Sequence, residues 1–157
     1  MSTSNLRGNL PQNFDIRVRR VLDEVLGADV VLAFDYVAAG KSPHANYRFT
    51  LTAAGAMRYV QHSGAGGDWQ VPFDRPLPDK PSKQVDPARV SALIAGLDSA
   101  GFFAHPGYEA ARAQDGAYYI VRARKGVGLH AVVYQNVEPP LMGELSALAD
   151  PLWVQPK

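Results

Sequence analysis

With 157 residues, 46% of them hydrophobic and 20% charged, the chain is long enough for one domain with its own core and too short for two ordinary domains. Its 16 basic and 15 acidic side chains leave a net charge of +1, so there is no overall field to attract nucleic acid or an anionic membrane. The absence of cysteine excludes disulfides, thiolate metal sites and cysteine nucleophiles.

The N-terminal residues 1–14 are polar and lack the apolar segment of a secretory signal. We expect them to be flexible and to precede a single domain over residues 15–157. No apolar run approaches the roughly 20 residues that span a bilayer. The sequence therefore predicts a soluble, cytoplasmic protein.

The first predicted element is an amphipathic helix over 15–26, with Asp15 at its N-terminus. Its apolar residues recur at helical spacing, at Val18, Val21, Leu22 and Val25. Three arginines fall on the other side, namely Arg17, Arg19 and Arg20. We interpret that side as a solvated face with partners one turn later, such as Arg19 with Asp23 and Arg20 with Glu24, rather than as a surface for nucleic acid.

Alternating side chains predict a well-buried strand over 29–37 and two further strands over 45–52 and 56–62. The last two are joined by a three-residue loop that ends at Gly55. This loop fits an antiparallel hairpin in which Gly55 is left-handed.

Residues 63–84 contain several glycine and proline clusters and no periodic pattern, which predicts a long loop. Loops of this length in a compact domain are usually functional or disordered. Trp69 and Phe73 argue against disorder, and we expect them to hold the loop against the body. With Arg75 they make it the predicted recognition surface, although the aromatic rings could instead simply fill core space.

The signals for a helix are best over 86–100, where Asp86 is the expected N-cap and Pro87 opens the first turn. One face of this main helix is apolar, with Val90, Leu93, Ile94 and Leu97. Gly101 should end the helix in a left-handed conformation, and Phe102 should pack back against Leu97.

An irregular stretch over 104–116 precedes a second predicted hairpin, with strands over 117–124 and 129–135, and a short helix after Pro140. Arg122, Arg124 and Lys125 form a small basic patch, which we interpret as the guard of an exposed strand edge rather than as an RNA surface. The predicted fold class is α+β. It has an antiparallel sheet of four to six strands packed against one main helix, with short terminal helices.

Three segments contain these elements in order: the first hairpin in "SPHANYRFTLTAAGAMRYV", the main helix in "VDPARVSALIAGLDSAGFFA", and the start of the second hairpin in "YEAARAQDGAYYIVRARKG". In this order the chain resembles the DUF6438-type bacterial domains, a family of unknown function. Members often carry a Cys-Pro pair and an Asp-Gly turn, where this chain has Ser42-Pro43 and Ala54-Gly55. The resemblance implies a bacterial origin and supplies no catalytic residue.

The four histidines, His44, His62, His105 and His130, are dispersed and show no metal-binding spacing. We therefore predict no metal site and no cofactor. His105 could act as an acid or base, but no nucleophile stands beside it in the sequence. No catalytic residue is predicted, and an enzyme is not favoured.

The leading functional hypothesis is a non-enzymatic accessory module that binds a protein partner. The alternative is a small-molecule binder or unrecognised hydrolase, with a pocket under the 63–84 loop formed by His62, Trp69 and His105. The predicted binding residues are Trp69, Phe73, Arg75, His105 and Tyr108. Neither a membrane nor nucleic acid is expected as a partner.

Overall fold

The computed structural model describes residues 15–38, 45–63, 68–111, 116–126 and 128–154. The helices within these ranges are α1 (Ile16–Asp23), α2 (Pro87–Ser99) and α3 (Met142–Ala149). The strands are β1 (Val30–Val37), β2 (Tyr47–Thr52), β3 (Ala56–Gln61), β4 (Lys83–Gln84), β5 (Tyr108–Ala110), β6 (Tyr118–Lys125) and β7 (Gly128–Gln135). Two short 3-10 helices cover Phe102–Ala104 and Asp150–Leu152. The predicted segment 1–14 lies outside the described residues.

The strands form one sheet in the order β4-β3-β2-β1-β6-β7-β5. All neighbours are antiparallel except β5, which runs parallel to β7. The α+β class and the two hairpins are confirmed, but the predicted four to six strands are too few. The additional strands, β4 and β5, contain two and three residues, and lie where we predicted irregular chain. Such short strands show no periodic pattern, because side-chain alternation needs several residues.

The larger core lies on one face of the sheet, and two helices cover it. Leu93 and Leu97 of α2 and Leu145 and Leu148 of α3 pack in the same cluster as Phe34 of β1. The prediction of a single main helix is therefore wrong. The sequence predicted only a short terminal helix here, because Pro139 and Pro140 precede it, Pro151 ends it, and its apolar spacing covers about two turns.

The smaller core lies on the opposite face, under α1. Val18, Val21 and Leu22 of this helix pack against Ile120 and Val133 of the sheet. The N-terminal helix thus covers a face of the sheet, where it buries its apolar stripe.

Asp15 is the N-cap of α1, and its carboxylate accepts a hydrogen bond from the backbone N of Arg17 at 2.8 Å. The same carboxylate binds the Arg17 guanidinium at 2.9 Å. Arg17 is only 1% exposed, so the prediction of a solvated arginine face is wrong at this position. A neighbouring carboxylate makes the burial possible, since it compensates the charge locally.

Two glycines adopt the predicted left-handed conformation. Gly101 ends α2 with a φ of 85°, and its N–H donates to the carbonyl of Asp98 at 3.0 Å. Gly55 turns the β2–β3 hairpin with a φ of 93°. Residues with a Cβ resist this region of backbone space, so both turns depend on glycine. Among the described residues, no helix has the length and apolar character needed to cross a membrane.

Candidate functional site

A cleft of about 590 Å³ opens between the end of α1, the loop segment 68–77 and the face of the sheet that α1 covers. Its apolar walls include Val25, Leu26, Val71, Phe73 and Leu77. Its charged lining consists of Arg20, Glu24, Arg48 and Arg75. The loop residues in this lining, within 71–77, belong to the segment that the alternative hypothesis assigned to a pocket.

A buried ionic cluster lies beneath the cleft. Asp35 of β1 has no exposed surface and is the register partner of Arg48 on β2. Its Oδ2 atom accepts from Nε of Arg48 at 2.7 Å, and its Oδ1 atom accepts from Arg122 of β6 at 3.1 Å. Both carboxylate oxygens are therefore bound by guanidinium groups from the two flanking strands, a geometry that compensates the cost of burying the charges.

Arg48 connects this cluster to the cleft. Its two Nη atoms bind the two carboxylate oxygens of Glu24, just after α1, one of them at 3.0 Å. Burial by itself would lower the pKa of Arg48, but Asp35 and Glu24 together raise it above its ordinary value. Arg48 therefore remains charged, and it fixes the end of α1 to the sheet.

Arg122 explains why α1 stops short of the predicted end at residue 26. Its Nη1 atom donates to the carbonyl of Val21 at 3.0 Å, in the last turn of the helix. The carbonyls of a last turn have no partner within the helix, and a cation suits the negative end of the helix dipole. The basic patch predicted on an exposed edge is wrong for Arg122, because β6 lies between β1 and β7 and this side chain is fully buried.

Phe73 holds the loop against the body by covering Arg48, whose Cζ atom lies 4.5 Å from the ring centroid. Trp69 packs near Arg17 in the same way, at 5.8 Å. Both aromatic residues are half-buried, so neither fills the core completely nor stands free in solvent. The loop is further fixed by the buried Asn46, whose Nδ2 donates to the carbonyl of Pro72 at 2.9 Å.

Two exposed arginines line the cleft, one on each side. Arg20 comes from α1 and Arg75 from the loop, where its Nε donates to the carbonyl of Gln61 at 3.1 Å. Glu24 binds Arg48, so the predicted Arg20–Glu24 pair is wrong. Among the described residues no carboxylate forms an ion pair with either rim arginine. The cluster below is balanced, with two guanidinium groups against Asp35 and Glu24, so the cleft carries the positive charge of its rim.

The predicted binding residues do not all meet. Phe73 and Arg75 line the cleft and Trp69 is on the same loop, whereas His105 and Tyr108 lie outside the cleft lining, near the β5 edge of the sheet. The Tyr108 hydroxyl donates to Oε1 of Gln135 at 2.6 Å.

His105 has a structural role in the turn before β5. Its Nδ1 accepts from the backbone N of Gly107 at 3.0 Å, so its Nε2 is left to donate to Glu109 at 3.0 Å. His105 does not join Trp69 in the way that the predicted pocket required, because it contacts Tyr134 of the larger core while Trp69 packs near Arg17 of α1.

We did not predict Asp35, Arg48 or Arg122 as members of a common cluster. One signal was available in the sequence. Each of these charged residues lies in a predicted strand whose other residues are largely apolar, which indicates that the side chain is buried. Alternation shows which face a residue occupies, but only the pairing register shows which charges meet.

Within the described residues no group of three or more histidine, aspartate or glutamate side chains is arranged to hold a metal ion, and His44 lies outside them. Comparison with protein-family models, curated proteins and solved structures finds no match to this chain. The resemblance to DUF6438-type domains stays a prediction.

Proposed function

We propose that this protein is a binding module for a small amphipathic anion, a carboxylate attached to an apolar body, and that the cleft is its site. The observation that carries this proposal is the pair of rim arginines, Arg20 and Arg75, which line an apolar cleft and have no carboxylate partner among the described residues. The proposal narrows the small-molecule hypothesis to one class of ligand.

The size and lining of the cleft support an organic anion. Small-molecule sites usually enclose about 300–1,000 Å³ and combine apolar walls with a few polar groups that fix orientation. Guanidinium groups bind carboxylates with two parallel hydrogen bonds, and Val71, Phe73 and Leu77 offer apolar surface for the rest of the molecule. Arg48 is already bound to Asp35 and Glu24, so its role is to position the cleft wall.

We propose binding without chemistry. In the part of the cleft that the structure describes, Thr50 is the one hydroxyl side chain and Glu24 the one carboxylate. Glu24 is bound by Arg48 rather than by Thr50, so among the described residues the Thr50 hydroxyl has no general base in hydrogen-bond contact.

Calorimetric titration of the purified protein with hexanoate, acetate and the uncharged hexanamide tests the proposal. We expect hexanoate to bind at least about tenfold more tightly than either control, since only hexanoate offers both the charge and the apolar chain. The double variant Arg20→Gln/Arg75→Gln should lose this binding, whereas Arg89→Gln, at an exposed position of α2, should keep it. Equal binding of hexanoate and hexanamide, or full binding by the double variant, would contradict the proposal.

A protein partner is the second candidate, and it is supported by Val25. This cleft-lining side chain is 96% exposed, which is unusual for a valine beside an apolar site. Affinity capture from the native host with the parent and with Val25→Asp tests it. A stoichiometric protein retained by the parent and lost with the variant would support a protein partner, and identical captures would count against it.

A further inference from the structure

A row of four tyrosines lies on the larger-core face of the sheet, away from the cleft. Tyr36 is the register partner of Tyr47 on one side and of Tyr119 on the other. The ring centroids are 5.6 Å apart for Tyr36 and Tyr47, and 5.2 Å apart for Tyr36 and Tyr119. Tyr59 extends the row, with its ring 5.9 Å from that of Tyr47.

The segment after α3 covers this row. The backbone N of Val154 donates to Oε1 of Gln61 at 2.9 Å, and the Gln61 amide also binds the carbonyl of Val154. The Tyr59 hydroxyl donates to the same Oε1 at 3.1 Å. Because these contacts fix the segment at β3, Trp153 lies beside the row, with 37% of its surface exposed.

Between the row and this segment is a pocket of about 270 Å³. It is lined by Tyr36, Ala45, Tyr47, Tyr119, Asp150 and Trp153. Four of these six side chains are aromatic, and the one charged group is a carboxylate. Of the described residues, none with a positive charge lines this pocket.

The electrostatics of the pocket favour a cation. Burial raises the pKa of Tyr47, and the nearby Tyr119 and the Asp150 carboxylate raise it further. Burial, Tyr36 and the Glu138 carboxylate act in the same direction on Tyr119. The phenols therefore remain neutral at physiological pH, where aromatic faces and carboxylates both attract positive charge. Neither Asp150 nor Glu138 forms an ion pair with a described residue.

We propose that this pocket binds a methylated ammonium group, held by the rings of Tyr36, Tyr119 and Trp153 and by the charge of Asp150. Quaternary ammonium groups are recognised in proteins by aromatic cages of this composition. The pocket and the cleft lie on opposite faces of the sheet, so the ammonium site does not depend on the proposed anion site. The group could belong to a free small molecule or to a methylated lysine side chain, which share this chemistry.

Ligand-observed saturation-transfer NMR tests the proposal with choline and with neohexyl alcohol, its uncharged isostere. We expect a saturable signal at the choline methyl protons, and binding of the alcohol that is at least about tenfold weaker. A trimethyllysine peptide, compared with its unmethylated form, separates the two sources. Tighter binding of the methylated peptide than of choline would show that the ligand is a methylated lysine side chain. Tighter binding of choline would show that it is a free small molecule.

Two variants at exposed positions locate the binding. Trp153→Ala and Asp150→Asn should each weaken choline binding by about fivefold or more, without altering the sheet. Glu144→Gln removes an equal charge from an exposed position of α3 outside the pocket lining, and should bind choline like the parent. Equal binding of choline and neohexyl alcohol, or unchanged choline binding in both pocket variants, would overturn the proposal.

Discussion

The Oδ2 atom of Asp35 lies 2.7 Å from Nε of Arg48, its register partner on the adjacent strand. Arg122 binds the other oxygen of the same carboxylate, and it does so from β6, the neighbour of β1 on the other side. This arrangement determines more than local pairing, because Arg48 continues to Glu24 and Arg122 to Val21. A single buried carboxylate is therefore linked to the end of α1, and with it to one wall of the cleft.

We expect Asp35→Ala to lower the free energy of unfolding by about 3–5 kcal/mol, because it leaves two buried guanidinium groups without their shared partner. Urea unfolding measures the change. Asp98→Ala is the matched control, since the Asp98–Lys125 pair is solvent-exposed and should contribute at most about 1 kcal/mol. A cost for Asp35→Ala no larger than that of the control would show that the cluster does not hold α1 in place.

Gly55 and Gly101 share a left-handed backbone but differ in their surroundings. A Cβ at Gly101 would meet no atom within 4 Å, whereas one at Gly55 would lie 1.8 Å from the carbonyl oxygen of Val85. We expect Gly101→Ala to cost about 1–2 kcal/mol, from backbone strain alone, and Gly55→Ala to cost clearly more. Gly101→Val should exceed the cost of Gly101→Ala, because a β-branched side chain resists this conformation further.

Thermal melting of the glycine variants measures this order. Gly143→Ala provides the control, because Gly143 lies within α3 with open space around it and should gain about 0.5–1 kcal/mol on substitution. If Gly55→Ala and Gly101→Ala were equally destabilising, the contact between a Cβ at position 55 and the Val85 carbonyl would not contribute to the loss of stability.

Phe73→Ala should lower the stability by roughly 2 kcal/mol, less than a fully buried phenylalanine would, because the ring is only half-buried. Phe73→Leu should cost less than Phe73→Ala, since leucine restores the apolar contact with the smaller core but not the ring over Arg48. Chemical denaturation gives both values. An unchanged stability in Phe73→Ala would mean that the loop is not held by this residue.

Elements with strong local signals, such as helix caps and turn residues, could be predicted from the sequence. Asp86, Pro87 and Gly101 marked both ends of α2, because caps and breakers act through neighbouring backbone groups and are therefore local. The irregular chain around Trp69 and Phe73 was also predicted, since its prolines disfavour a regular element, but β4 at the end of the predicted loop was not.

The clusters could not be predicted, because they depend on register and on contacts between distant segments. Arg122 contacts Val21 across 101 positions of the chain, and nothing near either residue indicates the other. The tyrosine row was missed for the same reason. Tyr36, Tyr47 and Tyr119 are separate residues of separate strands until the sheet aligns them.

The fold should lose stability at alkaline pH, in part through the buried hydroxyl of Tyr134. Burial raises the pKa of Tyr134, which is 2% exposed, above its ordinary value of 10.0, and the nearby Glu109 adds to the effect. A group whose pKa is higher in the folded state contributes stability that is complete below the unfolded pKa and is lost as the pH rises toward the folded pKa. Above the unfolded pKa, ionisation of the phenol stabilises the unfolded chain, whereas the folded chain keeps the phenol neutral. Tyr134 should therefore account for part of the stability that the fold loses above about pH 10. Tyr134→Phe should remove this part of the pH dependence, seen as a smaller fall in the urea midpoint between about pH 8 and pH 11. Tyr108→Phe, at a less buried position of β5, should remove less of it. If the parent and Tyr134→Phe lost stability in parallel over this range, the Tyr134 hydroxyl would ionise as readily in the folded protein as in the unfolded chain.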